Sequence, residues 1–111
     1  MTADDFRRLA LALPDAAESA HMGHPDFRVR GKIFATLSAE GDKAMAKLTP
    51  DQQEVLCGAE PGMFAPVPGG WGRSGSTHVL LAGADEDAVR GALLMAWRNI
   101  APPTLLRTAA P

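Results

Sequence analysis

The sequence contains one cysteine, Cys57, so no disulfide can close within the chain. A thiol with no internal partner fits a reducing compartment, and the protein is expected in the cytoplasm. Long hydrophobic runs are missing as well. Nothing approaches the roughly 20 consecutive apolar residues that cross a bilayer, so no membrane partner is expected. Arg7 and Arg8 precede the apolar stretch Leu9-Ala10-Leu11-Ala12-Leu13, but that stretch is too short for the core of a signal peptide, and Asp4 and Asp5 stand where cations belong. Nor is there an excess of positive charge: 11 Lys and Arg oppose 13 Asp and Glu, for a net charge of −2 and a pI near 5.8. This excludes the whole-molecule basic field of many nucleic-acid binders, so any affinity for a polyanion has to be local. Internal repeats and low-complexity segments are absent too.

What is present suits one soluble domain spanning residues 1–111. With 46% hydrophobic and 22% charged residues, the composition is that of an ordinary globular protein. A chain of this length buries about 65% of its unfolded surface in a single core. The protein is expected to act as a monomer.

The most informative stretch is Phe27-Arg28-Val29-Arg30-Gly31-Lys32-Ile33-Phe34-Ala35-Thr36-Leu37. Phe27 and Val29 alternate with Arg28 and Arg30. After Gly31, Ile33, Ala35 and Leu37 alternate with Phe34 and Thr36. Period two on both sides of a glycine predicts a hairpin with one apolar face, on which Ile33, Ala35 and Leu37 belong to the core.

Around it the chain reads in order. Thr2 caps a helix with Asp5 three residues on, the stripe Phe6, Leu9, Ala10, Leu13 gives it an apolar face, and Pro14 ends it. Residues 17–22 form a short strand, Gly23-His24-Pro25 a turn, and residues 43–48 the third strand of a meander. Thr49-Pro50-Asp51-Gln52 starts a second helix, with Val55 and Leu56 as its anchors. Residues 64–67 can form an edge strand carrying Pro66, followed by a Gly-rich loop pinned by a buried Trp71. Thr77, Val79 and Leu81 share one face of a further strand. Asp85-Glu86-Asp87 then opens the longest helix, whose stripe is Val89, Ala92, Leu93, Ala96, Trp97 and Ile100. Pro102-Pro103 stops it, and Leu105 and Leu106 are expected to fold back on the core. The sum is an α+β domain with a largely antiparallel sheet, the first and last helices packing on its apolar face.

Taken together, Leu13-Pro14, Glu18-Ser19, Met22-Gly23-His24-Pro25, Phe27-Arg28-Val29, Gly31-Lys32-Ile33-Phe34-Ala35, Trp71-Gly72 and Ala96-Trp97 with Ala101-Pro102 resemble the MmcQ/YjbR family. The resemblance covers nearly the whole chain. It implies a CyaY-like α+β fold, with helices packed on one face of a twisted, largely antiparallel sheet, and a DNA-binding role through a double-wing arrangement.

Between Arg28 and Leu48, five cations (Arg28, Arg30, Lys32, Lys43, Lys47) face two anions (Glu40, Asp42), a local excess of three. Alternation puts most of them on the sheet face away from the core, where Arg forks and Lys charges suit phosphates. These five are the candidate nucleic-acid-binding residues. The partner is DNA or another polyanion, and the alternative partner is a folded protein that uses the same surface. Neutralising three to five phosphates on a duplex would give a slope of about −3 to −4.5 in log K against log salt.

Other constellations carry less. His21-x-x-His24 with Asp26 is read as a polar turn rather than a metal site, and Gly69-Gly70-Trp71-Gly72 lacks the spacing of a phosphate loop. The acidic first helix, which in a frataxin-like fold would suggest iron, offers only Asp4 and Asp5 against Arg7 and Arg8. Cys57 beside Leu56 reads as an inert thiol, and neither it nor Ser19 has a base and oxyanion site legible in the sequence. The protein is therefore expected to be non-catalytic, with no cofactor and no metal.

Overall fold

The structure, a computed structural model, describes residues 1–108. Helix α1 (Ala3–Leu11) begins with a reciprocal cap: the Thr2 hydroxyl accepts the Asp5 amide at 3.1 Å, and the Asp5 carboxylate accepts the Thr2 amide at 2.9 Å. Phe6, Leu9 and Ala10 are buried. The helix closes at Leu11, before Pro14, which leaves Leu13 only half-buried against the core instead of within it.

Strands β1 (Ala16–His21), β2 (His24–Val29), β3 (Lys32–Leu37) and β4 (Lys43–Lys47) follow as an antiparallel meander. The turns joining the first three are two residues long. Met22-Gly23 has φ of 48° and 79°, and Arg30-Gly31 has φ of 52° and 82°. Two successive positive φ values match the right-handed twist of the flanking strands, so each hairpin closes tightly. The first turn falls one residue earlier than the sequence suggests. His24 and Pro25 therefore belong to β2, and His21 pairs directly across from His24.

Next come α2 (Pro50–Ala59), β5 (Phe64–Pro66), the single-turn α3 (Gly70–Arg73), β6 (Ser76–Leu80), a 3-10 turn at Leu81–Gly83, α4 (Glu86–Ile100) and α5 (Pro103–Thr108). All six strands join one antiparallel sheet in the order β1-β2-β3-β4-β6-β5. Pro66 sits on the outermost strand, where its missing N–H breaks no ladder bond. Helices α1 and α4 pack against each other and on the same face of the sheet, as the expected α+β architecture requires. Between them lies the core: Phe6 meets Phe27 edge-to-face with centroids 5.9 Å apart, and the buried Trp97 donates its indole N–H to the Pro14 carbonyl at 2.9 Å. Leu105 of α5 folds back and is buried.

Three further burial expectations need correction. Phe27 pairs with Ala35, but the next pair is Arg28 with Ile33, so Phe34 is an extra residue, a β-bulge. The bulge reverses the alternation beyond it: Phe34 is fully buried, and Ile33 turns to the other face, half-buried. Val55 is 66% exposed, because α2 buries no residue fully and leans on the domain through Leu56 and Cys57. Trp71 is 72% exposed rather than the buried pin of its loop. The loop is held by backbone crowding: a Cβ on Gly72 would lie 1.6 Å from the Val67 carbonyl oxygen. Among the described residues, no helix is long and apolar enough to cross a membrane.

Candidate functional site

Among the described residues, the single-turn α3 alone borders the sheet face opposite α1 and α4, and register determines which side chains that face carries. Strand β2 presents His24, Asp26 and Arg28, alternating with the buried Phe27 and Val29. Strand β4 presents Lys43, Met45 and Lys47, alternating with the buried Ala44 and Ala46, and β6 adds Ser76, His78 and Leu80. Beyond the bulge, β3 contributes Ile33 and Thr36, and the end of β1 contributes His21.

Asp26 is the charged centre of one side of this face, and it is wholly buried. Arg28, two residues along the same strand, grips it with a fork: Nε to Oδ1 at 2.8 Å and Nη2 to Oδ2 at 3.0 Å. His21 reaches the same Oδ2 through Nδ1 at 2.8 Å. The Arg28 hydrogen bonds hold the Asp26 carboxyl below the usual carboxylate range against the opposing effect of burial, and His21 adds to them. The bond to Asp26 in turn raises the Arg28 guanidinium. Because Asp26 is ionised and can only accept, the Nδ1 of His21 carries the proton in the bond between them. The ring is fixed, and its Nε2 side is left free for solvent or a ligand.

Beside this triad the face sinks into a hollow of about 290 Å³. Ile33, Met45, Val67 and Trp71 supply its apolar lining, and His21, Thr36, Lys47 and Ser76 its polar rim. A smaller hollow of about 120 Å³ lies alongside, bordered by His24, Lys43 and His78. Burial, with the nearby charge of Lys43 adding to it, lowers the His78 pKa and keeps that ring neutral at pH 7. All three histidines thus lie on the open face.

The five sequence-predicted cations divide. Arg28, Lys43 and Lys47 share the open face, where they stand against the single carboxylate of Asp26 among the strand residues pointing that way, an excess of two. Arg30 and Lys32 sit at the hairpin tip and border a different hollow, of about 430 Å³, beside Ile100 and Pro102 at the end of α4. Arg30 is further engaged with Asp15 at 2.8 Å. Lys32, Lys43 and Lys47 form no ion pair among the described residues.

Two features escape the sequence reading. Trp71 is displayed rather than buried, and the only hint was a tryptophan flanked by glycines with no apolar periodicity around it. The His21–Asp26 contact depends on the Met22-Gly23 turn, which brings the end of β1 beside β2. The His21 and His24 rings come within 6.1 Å of one another, but among the described residues no group of three or more His, Cys, Asp or Glu converges to hold a metal. Cys57 is half-buried on α2, and burial pushes its thiol up, away from the reactive thiolate.

The YjbR family model matches residues 11–99. No curated protein matches the chain. Among solved structures, the crystal structure of the Deinococcus radiodurans protein DR2400, which carries a DUF419 domain, superposes with a TM-score of 0.76 at 19% identity, covering 97% of this chain and 84% of that one. At that identity the likeness establishes a shared fold and nothing about activity.

Proposed function

The chain belongs to the YjbR family, and from that footing we propose that it is a non-catalytic binding protein whose open sheet face holds a polyanion, nucleic acid being the class that the family resemblance implies. One observation supports this most directly. In a molecule of net charge −2, the strand residues of the open face carry three cations and one carboxylate, and that carboxylate is already capped by Arg28. Lys43 and Lys47, which form no ion pair among the described residues, are placed to meet phosphates, and Arg28 retains part of its donor capacity.

The reading narrows the sequence-based site. Arg30 and Lys32 border another hollow, so two to three phosphates are contacted rather than three to five. On a single strand this gives a slope of about −1.4 to −2.1 in log K against log salt. A fluorescence anisotropy titration with labelled oligonucleotides at two salt concentrations tests it. Lys43→Ala with Lys47→Ala is expected to flatten the slope, and Lys32→Ala to leave it unchanged. Absence of binding at about 50 mM salt, where electrostatic association is strongest, would refute it and favour a protein partner for the same face.

A further inference from the structure

We propose that the hollow beside Trp71 is a stacking site for an unpaired base, so that the strand held by the open face is single-stranded. This rests on the polyanion reading above and adds a ligand class to it.

The first support is the display of Trp71. Its indole is 72% exposed although it sits on a turn whose backbone is tightly placed. Gly72 is pressed against the Val67 carbonyl too closely for any side chain, and Gln53 ties the turn to the sheet by donating to the Gly72 carbonyl at 3.0 Å and the Ser76 carbonyl at 2.9 Å. A large aromatic ring is therefore held out of the core by a rigid support, an arrangement that preorganises it for contact with another flat ring.

The second is the shape and chemistry of the hollow. At about 290 Å³ it lies at the small end of ligand sites, with room for one ring system. The lining from Ile33, Met45 and Val67 is apolar, as the face of a base requires. The rim from Thr36, Ser76 and His21 offers hydrogen-bonding groups of the kind that meet a base edge. His21 is held there by Asp26, itself clamped by the Arg28 fork, so a preset polar group borders the cavity.

The third is continuity. Trp71, Lys47 and Ser76 also border a second hollow, of about 310 Å³, that extends past Thr49 and Asn99. Trp71 is thus a ridge between two adjoining depressions, with Lys47 touching both. A strand whose bases occupy successive depressions passes the Lys47 ammonium with its phosphates. A duplex hides its base faces and cannot stack on the ridge, so the geometry selects unpaired strands, and stacking is tolerant of sequence.

The test uses the full chain and three probes of equal length, about 15 nucleotides: an oligothymidylate, an abasic single strand and a duplex. Tryptophan emission reports directly, because Trp97 is buried and Trp71 is the accessible indole. Expected are quenching by the oligothymidylate and not by the abasic strand, affinity for the oligothymidylate at least tenfold above both other probes, loss of that preference in Trp71→Ala and its retention in Trp71→Phe. Because Trp71 is exposed, Trp71→Ala should fold, which its circular dichroism checks. Equal affinity for the oligothymidylate and the abasic strand, or an unchanged preference in Trp71→Ala, would overturn the stacking site while leaving polyanion binding intact. If none of the three probes binds at about 50 mM salt, the polyanion reading fails and the stacking site with it.

Discussion

The bulge at Phe34 makes the sharpest prediction, because alternation and structure assign opposite roles to two adjacent residues. By simple period-two counting Ile33 is core and Phe34 is not. In the structure Phe34 is fully buried, and Ile33 lies half-buried beside the hollow on the other face. Truncating a buried phenylalanine to alanine costs about 3–5 kcal/mol, from lost transfer free energy and the cavity left behind. Ile33 loses fewer methylene contacts, and the hollow beside it is already open to water, so Ile33→Ala should cost about 1–2 kcal/mol. With a urea m-value of about 1.5 kcal/mol per molar, Phe34→Ala lowers the midpoint by roughly 2–3 M and Ile33→Ala by roughly 1 M, with the slope unchanged in each case. Since domains of this size have only about 5–15 kcal/mol in hand, Phe34→Leu supplies a milder variant that keeps the comparison readable if Phe34→Ala does not fold. Far-UV circular dichroism follows the transition. Equal shifts, or a larger one for Ile33→Ala, would mean that the extra residue is absent and the strand alternates regularly.

Other expectations follow from the same geometry. The Asp26 carboxyl titrates below its unfolded value of about 3.8 because Arg28 holds it ionised. Its stabilising contribution is thus present above that value and lost as pH falls through the lower folded one. Thermal melts from pH 5 to pH 2 should show a shallower decline for Asp26→Asn than for the wild type, and parallel declines would place the acid sensitivity elsewhere. Gly72→Ala puts a methyl group into the Val67 carbonyl, so it should cost roughly 1–3 kcal/mol by denaturant titration and alter Trp71 emission as the turn moves. A variant with wild-type emission would show the turn to be compliant. Thr49→Ala removes half of a reciprocal cap, in which the Thr49 hydroxyl accepts the Gln52 amide at 3.2 Å, and should cost about 1 kcal/mol. A wild-type denaturation midpoint would show that α2 is held by its contacts with β5 instead.

Much of the fold was legible because local chemistry and global placement agree. Thr2 with Asp5 and Thr49-Pro50 with Gln52 start helices where their capping geometry says they should. The stripe from Val89 to Trp97 fixes the long helix, and glycines at left-handed positions fix both tight hairpins. What stayed hidden has common physical roots. A bulge leaves no mark in an alternating pattern when both residues at the slip, Ile33 and Phe34, are large and apolar. Exposure of Trp71 depends on how close Val67 passes to Gly72, a contact between backbone segments that composition does not encode. The candidate site suffered most. Counting cations along Arg28 to Lys47 treats them as one surface, whereas the tip of the hairpin carries Arg30 and Lys32 toward the end of α4. The charge of Arg28 is shared with an acid whose burial no local pattern announces.

The indole of Trp97, anchored on the Pro14 carbonyl, also bears on how the chain is made. The two residues are 83 positions apart, and a ribosome adding about 5–20 residues each second needs about 4–17 s to cover that distance. From the addition of Leu37 onward, α1 and the first hairpins exist without α4, the helix that roofs their apolar side. The nascent meander therefore waits with Phe27, Phe34 and Leu37 uncovered, and the core closes only once α4 has been made.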